Sequence, residues 1–259
     1  MPTVIAIANQ KGGCGKTTTT HTLGVHFAEG GYRVLMIDID PQSSLTNSCA
    51  VKDADGRSIA EVLGGAQPGT LRLPDVIRSL APGLDLVPSH VRLSAVELQL
   101  VSRMSRELLL RELLARQLPA RYDLIFIDCP PSLGLLTINA LAAAHGVLSP
   151  TQPAKQDLYG LGLFINTLRS VRQINPALRL IGVVPTFYDA RTLHHRSIVE
   201  QLDQSPLPVL QVIGRSIRIT EAPAVGETIL TFAPDNPQAL AYRRLGREVE
   251  QWLESVNAR

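Results

Sequence analysis

Lys11-Gly12-Gly13-Cys14-Gly15-Lys16-Thr17-Thr18 decides the fold of this chain. A phosphate-binding loop ordinarily reads Gly, four free residues, then Gly, Lys and Ser or Thr. Counting back from Gly15-Lys16-Thr17, the place of the first glycine is taken by Gln10, and a second lysine, Lys11, stands beside it. The run is therefore a deviant Walker A motif. Gly12, Gly13 and Gly15 allow successive backbone N–H groups to turn inward around a polyphosphate, because no side chain blocks the approach. A helix beginning near Lys16 adds its positive end. Lys16 is expected on the β- and γ-phosphates and the Thr17 hydroxyl on Mg²⁺, with Cys14 and Thr18 completing the loop.

The surroundings of the loop extend the same reading. Thr3-Val4-Ile5-Ala6-Ile7-Ala8 is a short buried strand that runs straight into it. Residues 16 to about 29 form a helix closed by Gly30-Gly31, and Arg33 to Asp38 form the next strand. Further strands are expected at 84–88, 122–128, 146–150, 179–184 and 208–213, with helices at 105–117, 157–174, 193–204 and 237–255. Residues 51–83 carry Gly, Pro and Asp clusters around short helical pieces. Alternation of apolar runs and helical patterns implies an α/β fold, a mostly parallel twisted sheet with helices on both faces. A length of 259 residues at 45% hydrophobic content, without a Pro/Gly/Ser-rich linker, fits one domain over 1–259.

Composition narrows the function classes. No stretch approaches about 18 uninterrupted apolar residues, and the N-terminus carries no leader pattern, so a cytoplasmic protein is expected. Cys14, Cys49 and Cys129 are an odd number without metal-type spacing, which speaks against a disulfide framework or an iron–sulfur scaffold. A net charge of +2 does not by itself argue for nucleic acid. Among 25 basic residues only Lys11, Lys16, Lys52 and Lys155 are lysines, so two in one loop stand out.

Open α/β sheets bind ligands beyond the carboxyl ends of their strands, where Asp38, Asp40 and Asp128 fall. Asp128 ends an apolar strand in the Walker B position and is expected to hold Mg²⁺ through bound water, with Asp38 supporting the same shell. Asp40, two residues further on, is placed to orient or deprotonate an attacking water.

NQKGGCGKTT (9–18), IDIDPQ (37–42), YDLIFIDCPPSLGLLTINAL (122–141), DARTL (189–193) and IRITEAPAVGETI (217–229) occur in one order across nearly the whole chain. In these blocks the sequence resembles the ParA/Soj-type partition ATPases of the ParA/MinD deviant Walker family. The resemblance implies that Lys11 acts in trans on the nucleotide of a partner subunit in an ATP-bound homodimer. It also implies that Arg191 and Arg218 contact nonspecific double-stranded DNA, with Arg215 and Arg196 enlarging the patch, and that a ParB-like protein stimulates hydrolysis at the nucleoid. Two segments depart from the pattern. Pro153 to Gly160 replaces an EYYALEG-like segment, and Gly214 stands where proline is common. The alternatives are a MinD-like membrane-positioning ATPase and a P-loop small-molecule kinase. A mixed-charge tail around Trp252 and Leu253 argues against a membrane helix, and no acceptor-substrate motif supports the kinase.

Overall fold

The computed structural model describes residues 2–52, 56–65, 71–118 and 120–257. Strands β1 (Thr3–Ile7), β2 (Val34–Asp38), β3 (Arg78–Ala81), β4 (Leu84–Val87), β5 (Leu124–Asp128), β6 (Gly146–Thr151) and β7 (Arg179–Pro185) form a sheet in the order β3-β4-β2-β5-β1-β6-β7. Every pairing is parallel except β3 with β4. In register, Asp38 lies beside Asp128, and Asp128 beside Ile7, so the phosphate loop and two acids leave the sheet at one edge.

Successive strand residues point to opposite faces, and both faces are covered, so the central strands β2 and β5 are apolar up to the aspartate that ends each of them. From β5, Leu124 and Phe126 enter one core with Ile5 and Ile7 of β1, while Ile125 and Ile127 enter the other with Val4 and Ala6. The first core is closed by α1 (Lys16–Glu29), α2 (Ser44–Ser48), α11 (Ile229–Phe232) and α12 (Pro237–Asn257) through Leu23, Phe27, Leu45, Leu230, Tyr242 and Leu245. The second is closed by α3 (Ile59–Gly64), α4 (Leu73–Val76), α5 (Leu93–Leu100), α6 (Leu109–Gln117), α7 (Leu135–Ala143), α8 (Lys155–Val171) and α9 (Leu193–Asp203). A short α10 (Ile217–Glu221) precedes a 3₁₀ turn at Ala222–Val225. Leu253 is buried and Trp252 packs against the α1-side core.

One expected strand does not form. Residues 208–213 run beside β7 with a single bridge, Val183 to Val209, and intermittent bonds such as Leu210 N–H to Val183 O at 2.9 Å. Pro208 in the segment and Pro185 on the facing strand have no N–H to donate, which leaves the sheet ladder incomplete. The helix expected over 105–117 begins as a 3₁₀ turn at Arg106–Leu108, because Ser105 takes a left-handed conformation with φ 53°. Parts of 51–83 resolve into α3, α4 and β3, whereas 53–55 and 66–70 lie outside the described residues.

His21, buried on α1, contacts Ser48 Oγ through Nδ1 at 3.3 Å. Burial lowers it from an ordinary 6.5 to about 4. Between those values the unfolded chain binds the extra proton and the folded chain does not. Stability should therefore fall as pH drops from 6.5 towards 4, by on the order of 3 kcal/mol from this group. In urea melts, His21→Gln should flatten that part of the acid slope; an unchanged slope would contradict the assignment.

Candidate functional site

The loop between β1 and α1 has the geometry that its glycines require. Gly13 (φ 69°) and Gly15 (φ 90°) both lie in the left-handed region that L side chains avoid. Gly15 is also the N-cap of α1 and has no side chain to cap it. The first backbone bond of the helix is Thr19 N–H to Gly15 O at 2.9 Å, so the N–H groups of Lys16, Thr17 and Thr18 precede the helix ladder. Such a helix start suits an anion. Lys16 is only 6% exposed, and its ammonium folds back to donate to Lys11 O at 2.9 Å. That bond places it inside the cradle.

The acids converge on the same point. Thr17 Oγ1 donates to Asp128 Oδ2 at 2.7 Å, and Thr20 Oγ1 reaches Asp128 Oδ1 at 3.3 Å. A hydroxyl that donates to a carboxylate keeps its lone pairs for a cation, and the carboxylate polarises it. Burial, then the charge of Asp38, pushes the Asp128 carboxyl well above the ordinary range; burial does the same to Asp38. Two crowded, desolvated acids favour a cation between them and the loop. Among the described residues no group of three or more His, Cys, Asp or Glu could hold a metal. One hydroxyl with a nearby carboxylate fits Mg²⁺, which keeps waters and relies on substrate phosphates for its remaining ligands.

Asp38 also holds the turn after β2. Oδ1 accepts the Asp40 N–H at 3.0 Å, and Oδ2 accepts both the N–H and the hydroxyl of Thr46, at 2.8 and 2.7 Å. Its charge also acts on the neighbouring Asp128 carboxyl. Asp40 is buried, and its Oδ1 accepts the Gln42 N–H at 2.9 Å. Burial raises the Cys14 thiol and pushes Cys49 up to about 12, so the helix start does not activate Cys14. All three cysteines are free thiols.

Several supporting residues went unnoticed in the sequence. Gln152 Nε2 donates to Gly13 O at 2.8 Å, and Thr186 Oγ1 donates to Cys14 O at 2.8 Å. Both follow sheet strands at their carboxyl ends, which is the signal that could have found them. Asn9 Oδ1 accepts the Lys11 N–H, and Lys11 Nζ pairs with Asp157. A cavity beside the loop is lined by Thr18, Thr186, Phe187, Gly214, Ile219 and Tyr242. Gly214 N–H donates to Gln238 Oε1 at 2.6 Å, and a Cβ at 214 would lie 2.8 Å from Gln238 Nε2. The glycine thus lets Gln238 approach the backbone. A larger cavity of about 730 Å³ opens at the opposite end of the sheet, near Thr3, Tyr122 and Asp123, away from every loop residue.

Arg191, Arg215 and Arg218 lie on the segments after β7. A bridge between Tyr188 and Gly214 brings the Arg191 loop beside Arg215. Arg191, with a side chain 91% exposed, forms a fork with Asp189, whose carboxyl it holds down at about 2; Arg218 pairs with Glu221 at 2.9 Å.

Fold and loop together define a P-loop nucleotide-binding protein of the deviant Walker A type. A family model described as "AAA domain" matches residues 2–180. The chromosome-partitioning ATPase Soj of Thermus thermophilus is 41% identical over 249 residues, 95% of this chain and 94% of its own length. The sporulation initiation inhibitor protein Soj of Bacillus subtilis is 38% identical over 253 residues, 96% of this chain and 98% of its own. A solved structure described as cobyrinic acid a,c-diamide synthase from Mycobacterium smegmatis, with bound ADP and magnesium, matches with a TM-score of 0.83 at 37% identity, covering 98% of this chain and 96% of that one. The chain belongs to the ParA/Soj-type partition ATPases.

Proposed function

We propose that this chain, acting as one unit over 1–259, is an ATP-switched DNA partition ATPase: its ATP-bound dimer holds nonspecific DNA and hydrolysis releases it. Two lysines in one phosphate loop carry the reading, Lys16 folded inside it and Lys11 part-exposed at its entrance. Bound ATP·Mg²⁺ supplies the charge that joins two subunits and the phosphoanhydride bond that is spent. Lys16 and the N–H groups of the α1 start hold the phosphates, Thr17 ligates the ion, and Asp128 orients Thr17 and the water shell. Lys11 reaches the nucleotide of the facing subunit, and Asp40 takes the proton of the attacking water. A ParB-like protein stimulates that step and links the cycle to a chromosome, plasmid or protein cargo. Among the described residues no helix is long and apolar enough to cross a membrane.

DNA contact is assigned to Arg191 and Arg218, with Arg215 beside them. Their ion pairs are solvent-exposed, and such pairs contribute little, so phosphates can displace Asp189 and Glu221 cheaply. Arg191→Glu with Arg218→Glu should lower affinity for unrelated duplexes more than about tenfold and reduce the salt slope by roughly 2. ATP-dependent dimerisation should persist. Unchanged, salt-insensitive DNA binding rejects this interface, and ATP-dependent liposome binding without DNA binding favours a membrane-positioning ATPase. The name of the Mycobacterium smegmatis protein supplies a second reading. Phosphate release that requires an added carboxylic acid and nitrogen donor would favour an amide-forming synthase.

A further inference from the structure

Asp157 lies in the first turn of α8, within the Pro153–Gly160 segment that departs from the family pattern. Its side chain is 2% exposed, and Oδ1 accepts the Lys11 ammonium at 2.6 Å, while the Lys11 side chain remains 41% exposed. The other oxygen, Oδ2, is buried with no hydrogen-bond partner. A desolvated carboxylate is costly to leave unpaired. Lys11 is its one ion-pair partner among the described residues. The α1 loop is thus tied to α8 by the lysine that gives the loop its deviant character.

We propose that Asp157 is a latch: in the nucleotide-free monomer it holds Lys11 on its own subunit, and it competes with a facing subunit's phosphates for that ammonium. This inference rests on the trans reading of Lys11. Moving Lys11 across an interface strands Asp157, so dimerisation must repay the broken pair. The latch therefore raises the protein and nucleotide concentrations at which the dimer forms. Asp157 acts only through Lys11 and is a positioning residue, not a catalytic one.

The test is sedimentation velocity of the full chain with Mg²⁺ and a non-hydrolysable ATP analogue, for wild type, Asp157→Asn, Lys11→Ala and the double variant. Asp157→Asn should dimerise at about three- to tenfold lower protein concentration, a shift of about 0.7 to 1.4 kcal/mol. Lys11→Ala should dimerise poorly, and adding Asp157→Asn to it should change nothing. Such coupling would not arise from a merely structural Asp157. Thermal melts establish that each variant is folded; if Asp157→Asn is not, Asp157→Ala, which leaves no buried acceptor, takes its place. If Lys11→Ala fails to dimerise but the Asp157 variant shows an unmoved or weakened midpoint, the latch is rejected while the trans reading stands. If Lys11→Ala dimerises like wild type, the trans reading fails, and the latch with it.

Discussion

Lys16→Ala is expected to bind ATP on the order of 100- to 1,000-fold more weakly than wild type. The ammonium is nearly buried and already positioned over the loop by Lys11 O, so little ordering remains when phosphates arrive. Truncating one member of a desolvated, hydrogen-bonded charge pair costs about 2–5 kcal/mol, and each 1.4 kcal/mol is tenfold. ADP affinity should fall as well, because the β-phosphate is shared. Dimerisation and DNA retention, both downstream of ATP, should disappear. The fold should survive, since Lys16 makes one backbone hydrogen bond and the cores beneath it are apolar. Calorimetric titration with ATP·Mg²⁺ reads the affinity, and a thermal melt checks the fold. Wild-type affinity in the folded variant would remove Lys16 from the phosphates.

The sequence made the centre of this site readable because its chemistry is local. Gly13 and Gly15 are needed where φ is positive, and Lys16 and Thr17 follow at fixed spacing on the helix that those glycines start. Asp128 was readable for a related reason: an apolar strand covered on both faces ends in a charge only where the sheet meets the site. What was missed depends on chain crossings with no local signature. Asp157 meets Lys11 across 146 positions, and Thr186 meets Cys14 across 172. Asp38 was placed correctly at its strand end, but its partner Thr46 could not be found without the turn that folds 40–44 back over it.

The fold shows the same division. Buried parallel strands such as β5 announce themselves as continuous apolar runs. β3 does not: Arg78-Ser79-Leu80-Ala81 is short, half-exposed and antiparallel at the edge, and it pairs only because β4 lies beside it. Residues 208–213 mislead in the opposite direction. Their apolar side chains pack beside β7, but Pro208 and the facing Pro185 have no N–H to give, so burial with an interrupted set of backbone bonds imitates a strand.

Asp40→Ala should slow ATP hydrolysis by about 100- to 10,000-fold, the range that a positioned general base contributes, with nucleotide affinity changed only a few-fold. The protein should then accumulate as an ATP-bound dimer on DNA. Geometry supplies a competing explanation that the experiment must separate. Asp40 N–H is held by Asp38, and Asp40 Oδ1 in turn holds Gln42 N–H, so the side chain also shapes the turn behind β2. Asp40→Asn separates the two roles, because its amide oxygen can still accept from Gln42 while the amide cannot accept a proton from water. Loss of phosphate release in both variants, with ATP still bound, identifies Asp40 as the group that acts on the attacking water. Wild-type hydrolysis in Asp40→Asn combined with loss in Asp40→Ala would reduce it to a turn-forming residue, and another acceptor at the strand ends would then have to take the proton.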